Sequence, residues 1–201
     1  MTLFIAIYLA FAYNEARKGM KKVVSIVGMA GAGKSEVARV FEENGFTRIR
    51  FGDITDEEIK KRGLELSEKN ECYIRELLRQ EQGMDVYASL NLPRIAPSLK
   101  HSHVVVDGLY SWEEYTLLKK HYGENFYVVA VWASPATRHA RLTTRLNRCL
   151  TPEEAASRDR EEIEDINKGG PIAMADFTII NESSLENLKK ETEGIVSELA
   201  R

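Results

Sequence analysis

The chain has 201 residues, 43% of them hydrophobic and 29% charged. That length and balance suit one soluble globular domain with a real core and exclude general disorder. Lys and Arg number 28 against 31 Asp and Glu, a net charge of −3, so bulk basicity points neither to nucleic acid nor to an anionic membrane surface.

Two cysteines, Cys72 and Cys149, form no CxxC. They argue against a disulfide scaffold and a structural zinc site, and for a reducing, cytoplasmic setting. The oligomeric state is not legible at this level.

The chain opens on an apolar run of 11 residues, Leu3 to Tyr13. A bilayer-spanning helix needs about 20, so no membrane span is expected. No Lys or Arg precedes the run, as a secretion signal would require. Residues 1–20 are expected to be an apolar extension. Either Met20 is the internal start, or the run is a helix that packs on the domain or on a partner. The domain proper is expected over 21–201.

From Lys22 onward, strand and helix patterns alternate. Lys22 to Val27 is a β-branched run of the kind that forms a buried strand. An amphipathic helix follows over Ser35 to Asn44, stopped by Gly45. Further strands are expected at Thr47 to Phe51, His103 to Val106, Phe126 to Trp132 and Asp176 to Ile180. Capping-box spacings predict helix starts at Thr55, Ser111, Thr151 and Ser183. Pro135 and Pro152 sit at first helical positions. Ser67 to Gln82 is a further helix, closed by Gly83. Strands joined by helical crossovers make a parallel sheet with helices on both faces. The long stretch of about 53–102 predicts a helical insert, and the charge-dense segment of about 146–170 a mobile flap.

The strongest signal is Gly28-Met29-Ala30-Gly31-Ala32-Gly33-Lys34-Ser35, a G-x-x-x-x-G-K-[ST] loop between a strand and a helix. Glycines let such a backbone curl so that its N–H groups face phosphate oxygens. The helix N-terminus adds positive potential. The expected phosphate-binding set is Gly28, Ala30, Gly31, Ala32, Gly33, Lys34, Ser35 and Glu36. In it Lys34 reaches the β- and γ-phosphates of ATP, and the Ser35 hydroxyl holds Mg²⁺. Val104-Val105-Val106-Asp107-Gly108 ends a strand in a carboxylate, so Asp107 is the second expected Mg²⁺ group.

Arg138, Arg141, Arg145 and Arg148 are spaced for one helix face, with Arg158 and Arg160 beyond. A solvated basic face accounts for Arg148 and Arg160. Arg145 and Arg158 are candidates for stabilising a transferring phosphoryl group. On the acceptor side, Asp53 follows the second strand and would orient a hydroxyl or a sugar, or only cap the next helix. Arg79, Arg94 and Gly108 complete the expected acceptor set, with Arg75 one turn from Arg79; surface salt bridges are the equal alternative for these three arginines. His101 and His103 lack a third ligand and read as surface histidines.

Together these residues resemble the P-loop nucleoside monophosphate kinase superfamily, near adenylate kinases and dephospho-coenzyme A kinases. The likeness runs from about Lys22 to the C-terminus. It takes in Gly28 to Ser35, Gly52-Asp53, Val106-Asp107-Gly108 and the Arg138 to Arg145 helix. Ala175-Asp176-Phe177-Thr178-Ile179-Ile180-Asn181 with Ser184 to Leu188 resembles the closing strand and helix of dephospho-coenzyme A kinases. The whole pattern is most similar to a largely archaeal group of adenylate-kinase-related proteins.

The resemblance implies a three-layer α/β P-loop NTPase fold. Its five-stranded parallel sheet would have order 2-3-1-4-5, with a helical acceptor-binding insert and a short lid. It also implies an ATP- and Mg²⁺-dependent phosphotransferase acting on a nucleotide-like acceptor, a nucleoside monophosphate first and dephospho-coenzyme A second. Two departures bear on the acceptor. Leu109-Tyr110-Ser111 carries no arginine after Gly108, and Ile54-Thr55 supplies no second acid beside Asp53. A nucleotide-binding regulator with little catalysis is the alternative of another class. A switch GTPase fits poorly, because Asn167-Lys168-Gly169-Gly170 has glycine where the aspartate of N-K-x-D belongs.

Overall fold

The computed structural model describes residues 20–145 and 149–200. The expectations for residues 1–19, and those for Leu146 and Arg148, lie outside the described residues. The elements alternate in chain order. They run β1 (Val23–Val27), α1 (Lys34–Glu43), β2 (Thr47–Arg50), α2 (Asp53–Lys61), α3 (Glu68–Gln82), α4 (Val86–Ser98), β3 (Val104–Asp107) and α5 (Trp112–Tyr122). There follow β4 (Phe126–Trp132), α6 (Pro135–Thr143), α7 (Pro152–Glu164), α8 (Gly169–Ala173), β5 (Phe177–Ile180) and α9 (Leu185–Leu199).

The five strands form one sheet in the order β2-β3-β1-β4-β5, and every pairing is parallel. Side chains alternate across it, and the central strands β1 and β3 are buried on both faces. Val23 and Val27 of β1 pack with Val104, Val106 and Val128 and with the helical insert, through Ile59, Ile74, Leu78 and Tyr87. Val24 and Ile26 face the other way, onto Val37 and Phe41 of α1 and Leu188 and Val196 of α9. This two-sided burial explains why the central strands read as unbroken valine and isoleucine runs.

The predicted caps at Ser111 and Thr151 are present as reciprocal capping boxes with Glu114 and Glu154. Two others differ. α2 begins at Asp53 rather than after Thr55. Thr55 is buried inside the helix, and its hydroxyl instead hydrogen-bonds the Tyr87 hydroxyl at 2.7 Å. The last helix is capped by Ser184, one residue beyond Ser183.

The insert contains a helix that periodicity hides, because α4 carries Pro93 and Pro97 internally. Both prolines face solvent, where the carbonyls they leave without an N–H partner can be hydrated. The segment expected to be a flap is built around α7. Ala155 of α7 and Leu150 pack on Leu142 and Ala30 in a small cluster of their own, so the flap has its own apolar footing on the phosphate loop. No helix among the described residues is long and apolar enough to cross a membrane.

Candidate active site

The loop between β1 and α1 is shaped by backbone contacts from below. Gly28 has φ +148°, and a Cβ there would lie 2.3 Å from the Val131 carbonyl oxygen. Gly31 has φ +79°, and its Cβ would lie 2.7 Å from the carbonyl oxygen of Arg138. Both the conformation and the space demand glycine. Gly31→Ala is expected to lower stability by about 1–3 kcal/mol, read as a fall in Tm; an unchanged Tm would contradict this account of the loop.

The loop's carbonyls are tied to surrounding groups. Asn181 Nδ2 donates to Ala32 O at 2.8 Å, and Arg138 Nη1 to Ala30 O at 3.2 Å. Lys34 Nζ folds back onto Gly28 O and Met29 O at 2.8 and 3.0 Å. The first turn of α1 closes when Glu36 and Val37 donate to Gly33 O, and the earliest amides of a helix have no partner within it. Burial pushes the Lys34 ammonium down to about 7, and the charge of Lys168 adds to the effect.

Asp107 ends β3 beside Ile26 of β1. It is buried, and its Oδ2 accepts from Arg48 Nη2 on the neighbouring strand. Its charge acts on Lys34. Ser35 opens the first turn of α1 and is exposed. A hydroxyl and a carboxylate are hard oxygen donors, which fit Mg²⁺. No group of three or more His, Cys, Asp or Glu among the described residues could hold an ion. The metal would therefore depend on phosphate oxygens and water for its other ligands, as Mg²⁺ commonly does.

α7 lies across the loop. Asp159 accepts two bonds from Arg138, at 2.6 and 2.8 Å, and one contact from His139 at 2.9 Å. Glu162 Oε2 accepts from the Ala30 backbone N–H at 3.1 Å. The fully buried Lys168 sets its Nζ 2.8 Å from Glu162 Oε1 and 5.0 Å from the centre of the Tyr110 ring. Arg158 reaches Glu162 at 3.6 Å and donates to Glu68 Oε1 at 2.9 Å. Arg75 of α3 donates to that same oxygen at 2.9 Å. Burial alone would raise the Glu162 carboxyl, but the charges of Lys168, Lys34 and Arg158 outweigh it and bring the group to about 2.

Between α3 and α7 opens a cleft of about 360 Å³, lined among others by Arg75, Arg79, Met84, Glu161 and Ile166. Arg79 lies over the Tyr87 ring at 5.1 Å. Its Nε and Nη2 are buried and find no hydrogen-bond partner among the described residues. That is the edge of a guanidinium that grips a carboxylate or phosphate with two bonds. Glu114, fully buried beside it, is raised to about 7 by burial against the opposing charge of Arg79. A second cleft, of about 310 Å³, opens at the helix end of the loop between Gly33, Arg141, Asn181 and Leu185.

The expected site residues thus divide. Gly28, Ala30, Gly31, Ala32, Gly33 and Lys34 form the loop, Asp107 stands beside it, and Arg158 is near enough for its charge to act on Lys34. Arg145 follows the end of α6 and is exposed. The Glu36 carboxylate is taken by Arg39, although the residue lines the second cleft. Gly108 lies under the Tyr110 hydroxyl.

Two acceptor candidates sit elsewhere. Arg94 pairs with Glu57 at 2.6 Å, tying α4 to α2. Asp53 pairs with Arg50 at 2.9 Å with its side chain 42% exposed. Neither lines the α3–α7 cleft. Sequence reasoning missed Glu162, Lys168 and Glu114 as site groups. The available signal was the four-residue spacing of Arg158 and Glu162 on one helix face.

A family model described as an AAA domain matches residues 24–167. A UPF0200 protein of Thermococcus kodakarensis is 38% identical over 88% of this chain and 97% of its own length. Another, from Hyperthermus butylicus, is 36% identical over 88% and 94%. The chain belongs to the UPF0200 family.

Solved structures similar to this UPF0200 protein include a gluconokinase from Sinorhizobium meliloti, at 16% identity and TM-score 0.57 over 90% of this chain and 94% of that one. A dephospho-CoA kinase from Campylobacter jejuni follows at 14% and 0.52, over 90% and 98%. At such identities the likeness is one of fold. The UPF0200 protein has the P-loop kinase α/β fold, with the sheet order that the resemblance implied.

Proposed function

We propose that this UPF0200 protein is an ATP- and Mg²⁺-dependent small-molecule kinase with a nucleotide-like acceptor, a nucleoside monophosphate in the first instance. The observation that carries the reading is the convergence of Lys34, Arg158 and Lys168 on one anion at the Ala30 amide. A phosphate loop ringed by cations and covered by a helix suits phosphoryl transfer, where catalysis is mostly positioning and charge stabilisation.

In this reading the loop amides and Lys34 hold the β- and γ-phosphates. The second cleft beside Arg141 takes the nucleoside. Mg²⁺, held by Ser35 and Asp107, would neutralise phosphate charge. Arg158, with Arg145 from just before the lid in the chain, balances charge on the γ-phosphoryl group. The bond from its phosphorus to the bridging oxygen breaks, a bond to an acceptor oxygen forms, and ADP leaves.

Arg79, which lines the α3–α7 cleft with Nε and Nη2 unpartnered among the described residues, favours an anionic acceptor. A phosphate oxygen needs no base at neutral pH, whereas a hydroxyl does. Asp53 is the base on offer for dephospho-coenzyme A, and its pairing with exposed Arg50 weighs against it. Glu68, shared by Arg75 and Arg158, links the acceptor helix to the lid. Acceptor binding and water exclusion are thereby coupled.

ADP release, measured with ATP against each nucleoside monophosphate and dephospho-coenzyme A, tests the reading. Turnover should rise with a monophosphate. Arg79→Gln should raise the acceptor KM on the order of ten- to a hundredfold, the worth of a charge-assisted bond, and leave the affinity for ATP unchanged. Tight nucleotide binding with no acceptor-stimulated turnover would favour a regulator instead.

A further inference from the structure

The anion inside the loop belongs to the protein itself. Glu162 is 5% exposed, and its Oε2 accepts the N–H of Ala30, in the middle of the 28–35 loop. Such amides are curled to meet phosphate oxygens. Three cations surround the same carboxylate: Lys168 at 2.8 Å, Arg158 at 3.6 Å, and Lys34 near enough for its charge to count. A buried carboxylate is costly unless it is paired and hydrogen-bonded, and this one is both. A nucleotide phosphate entering the loop would meet the same amide and the same cations. The two anions cannot share that place, because like charges so close repel strongly.

Lys168 is as unusual as its partner. It is fully buried. Its ammonium lies 2.8 Å from Glu162 Oε1. Its own backbone is anchored, for its N–H donates to Glu162 O at 3.1 Å, and Asn167 before it takes a left-handed φ of +54°. The Tyr110 ring flanks the ammonium. Lys168 is thus held in place by contacts that do not involve the Glu162 carboxylate.

We propose that Glu162 stands where a nucleotide phosphate sits, and that Lys168 is a second lysine for that phosphate, passed to it from the carboxylate when the nucleotide displaces Glu162. The proposal rests on the nucleotide-using reading above and adds to it a self-occupied loop and a second lysine on the phosphate.

Calorimetric titration of the full chain with inorganic tripolyphosphate, and then with ATP, tests it. Glu162→Gln should bind tripolyphosphate about tenfold or more tightly than the parent, and Lys168→Met about tenfold or more weakly. A pair that only welds the lid shut predicts that both variants move affinity in the same direction, and that outcome overturns the proposal. So does a folded Glu162→Gln with unchanged affinity.

Should either variant not fold, carbon-13 resonances of the Glu162 carboxyl and the Ala30 amide shift in the parent protein decide. Both should move together as tripolyphosphate is added. A bound tripolyphosphate that leaves the carboxyl resonance in place overturns the proposal. If neither parent nor variants bind tripolyphosphate or ATP, the nucleotide reading falls and this inference falls with it. If the parent binds and the variants match it, only this inference falls.

Discussion

Lys34→Ala should lower ATP turnover on the order of 10²–10³-fold, the scale for removing one preorganised group from developing charge, and weaken ATP binding alongside. The same residue predicts a pH dependence. Burial, reinforced by the charge of Lys168, brings its ammonium down to about 7 from an ordinary 10.5. A bound polyphosphate supplies the missing negative charge and restores the proton.

Below pH 7 the ammonium is already charged, and nucleotide binding takes up no proton there. Between about 7 and 10.5 binding takes up as much as one proton, so affinity falls as pH rises through that window. Without nucleotide, stability runs the opposite way. The unfolded chain binds the extra proton over the same window, so folding stability rises with pH. Calorimetry at pH 8 in two buffers of different ionisation enthalpy would read the uptake. A Lys34→Ala protein that keeps both the parent's ATP affinity and its proton uptake would remove the basis of this account.

Arg138→Ala should be the most destabilising single change in the site, at about 3–5 kcal/mol, as for one partner removed from a buried ion pair. In a domain of this size that corresponds to roughly 10 °C in Tm. Arg138 is 4% exposed. It makes a two-bond fork with Asp159 and also donates to Ala133 O and Ala30 O, at 3.1 and 3.2 Å. Its loss leaves Asp159 with His139 as its partner among the described residues and removes a brace from under the phosphate loop.

Lysine at 138 should rescue little, since it has neither the fork nor the planar reach. Thermal unfolding, with hydrogen exchange of α7, measures both effects. A Tm within about 2 °C of the parent would mean that the Arg138–Asp159 pair holds nothing, which its burial contradicts.

Where one stretch of chain carries its own physics, it could be read directly. The phosphate loop is such a case, because a buried β-branched strand, a glycine-rich turn and an amphipathic helix are consecutive. The caps at Ser111 and Thr151 are another, for each is completed within four residues. The arginine helix was legible as a helix but not in its roles. Periodicity gave Arg138 a place on a basic face, and only the arrival of Asp159 from α7 makes it a buried brace. Arg94 and Asp53 looked equally suited to an acceptor. The path of α4 through two prolines and the nearness of Arg50 gave them other partners.

By itself, then, the sequence determined the parallel α/β architecture, the position of the phosphate loop and the strand that delivers Asp107. Each follows from hydrophobic period, turn chemistry and spacing within a short window. Only the tertiary structure decided that Glu162 hydrogen-bonds the loop at Ala30, that Lys168 is buried against it, and that Arg79 lines the α3–α7 cleft. Those facts depend on segments far apart in the chain meeting over the sheet. There the removal of water makes charge pairing strong enough to decide which side chain sits where.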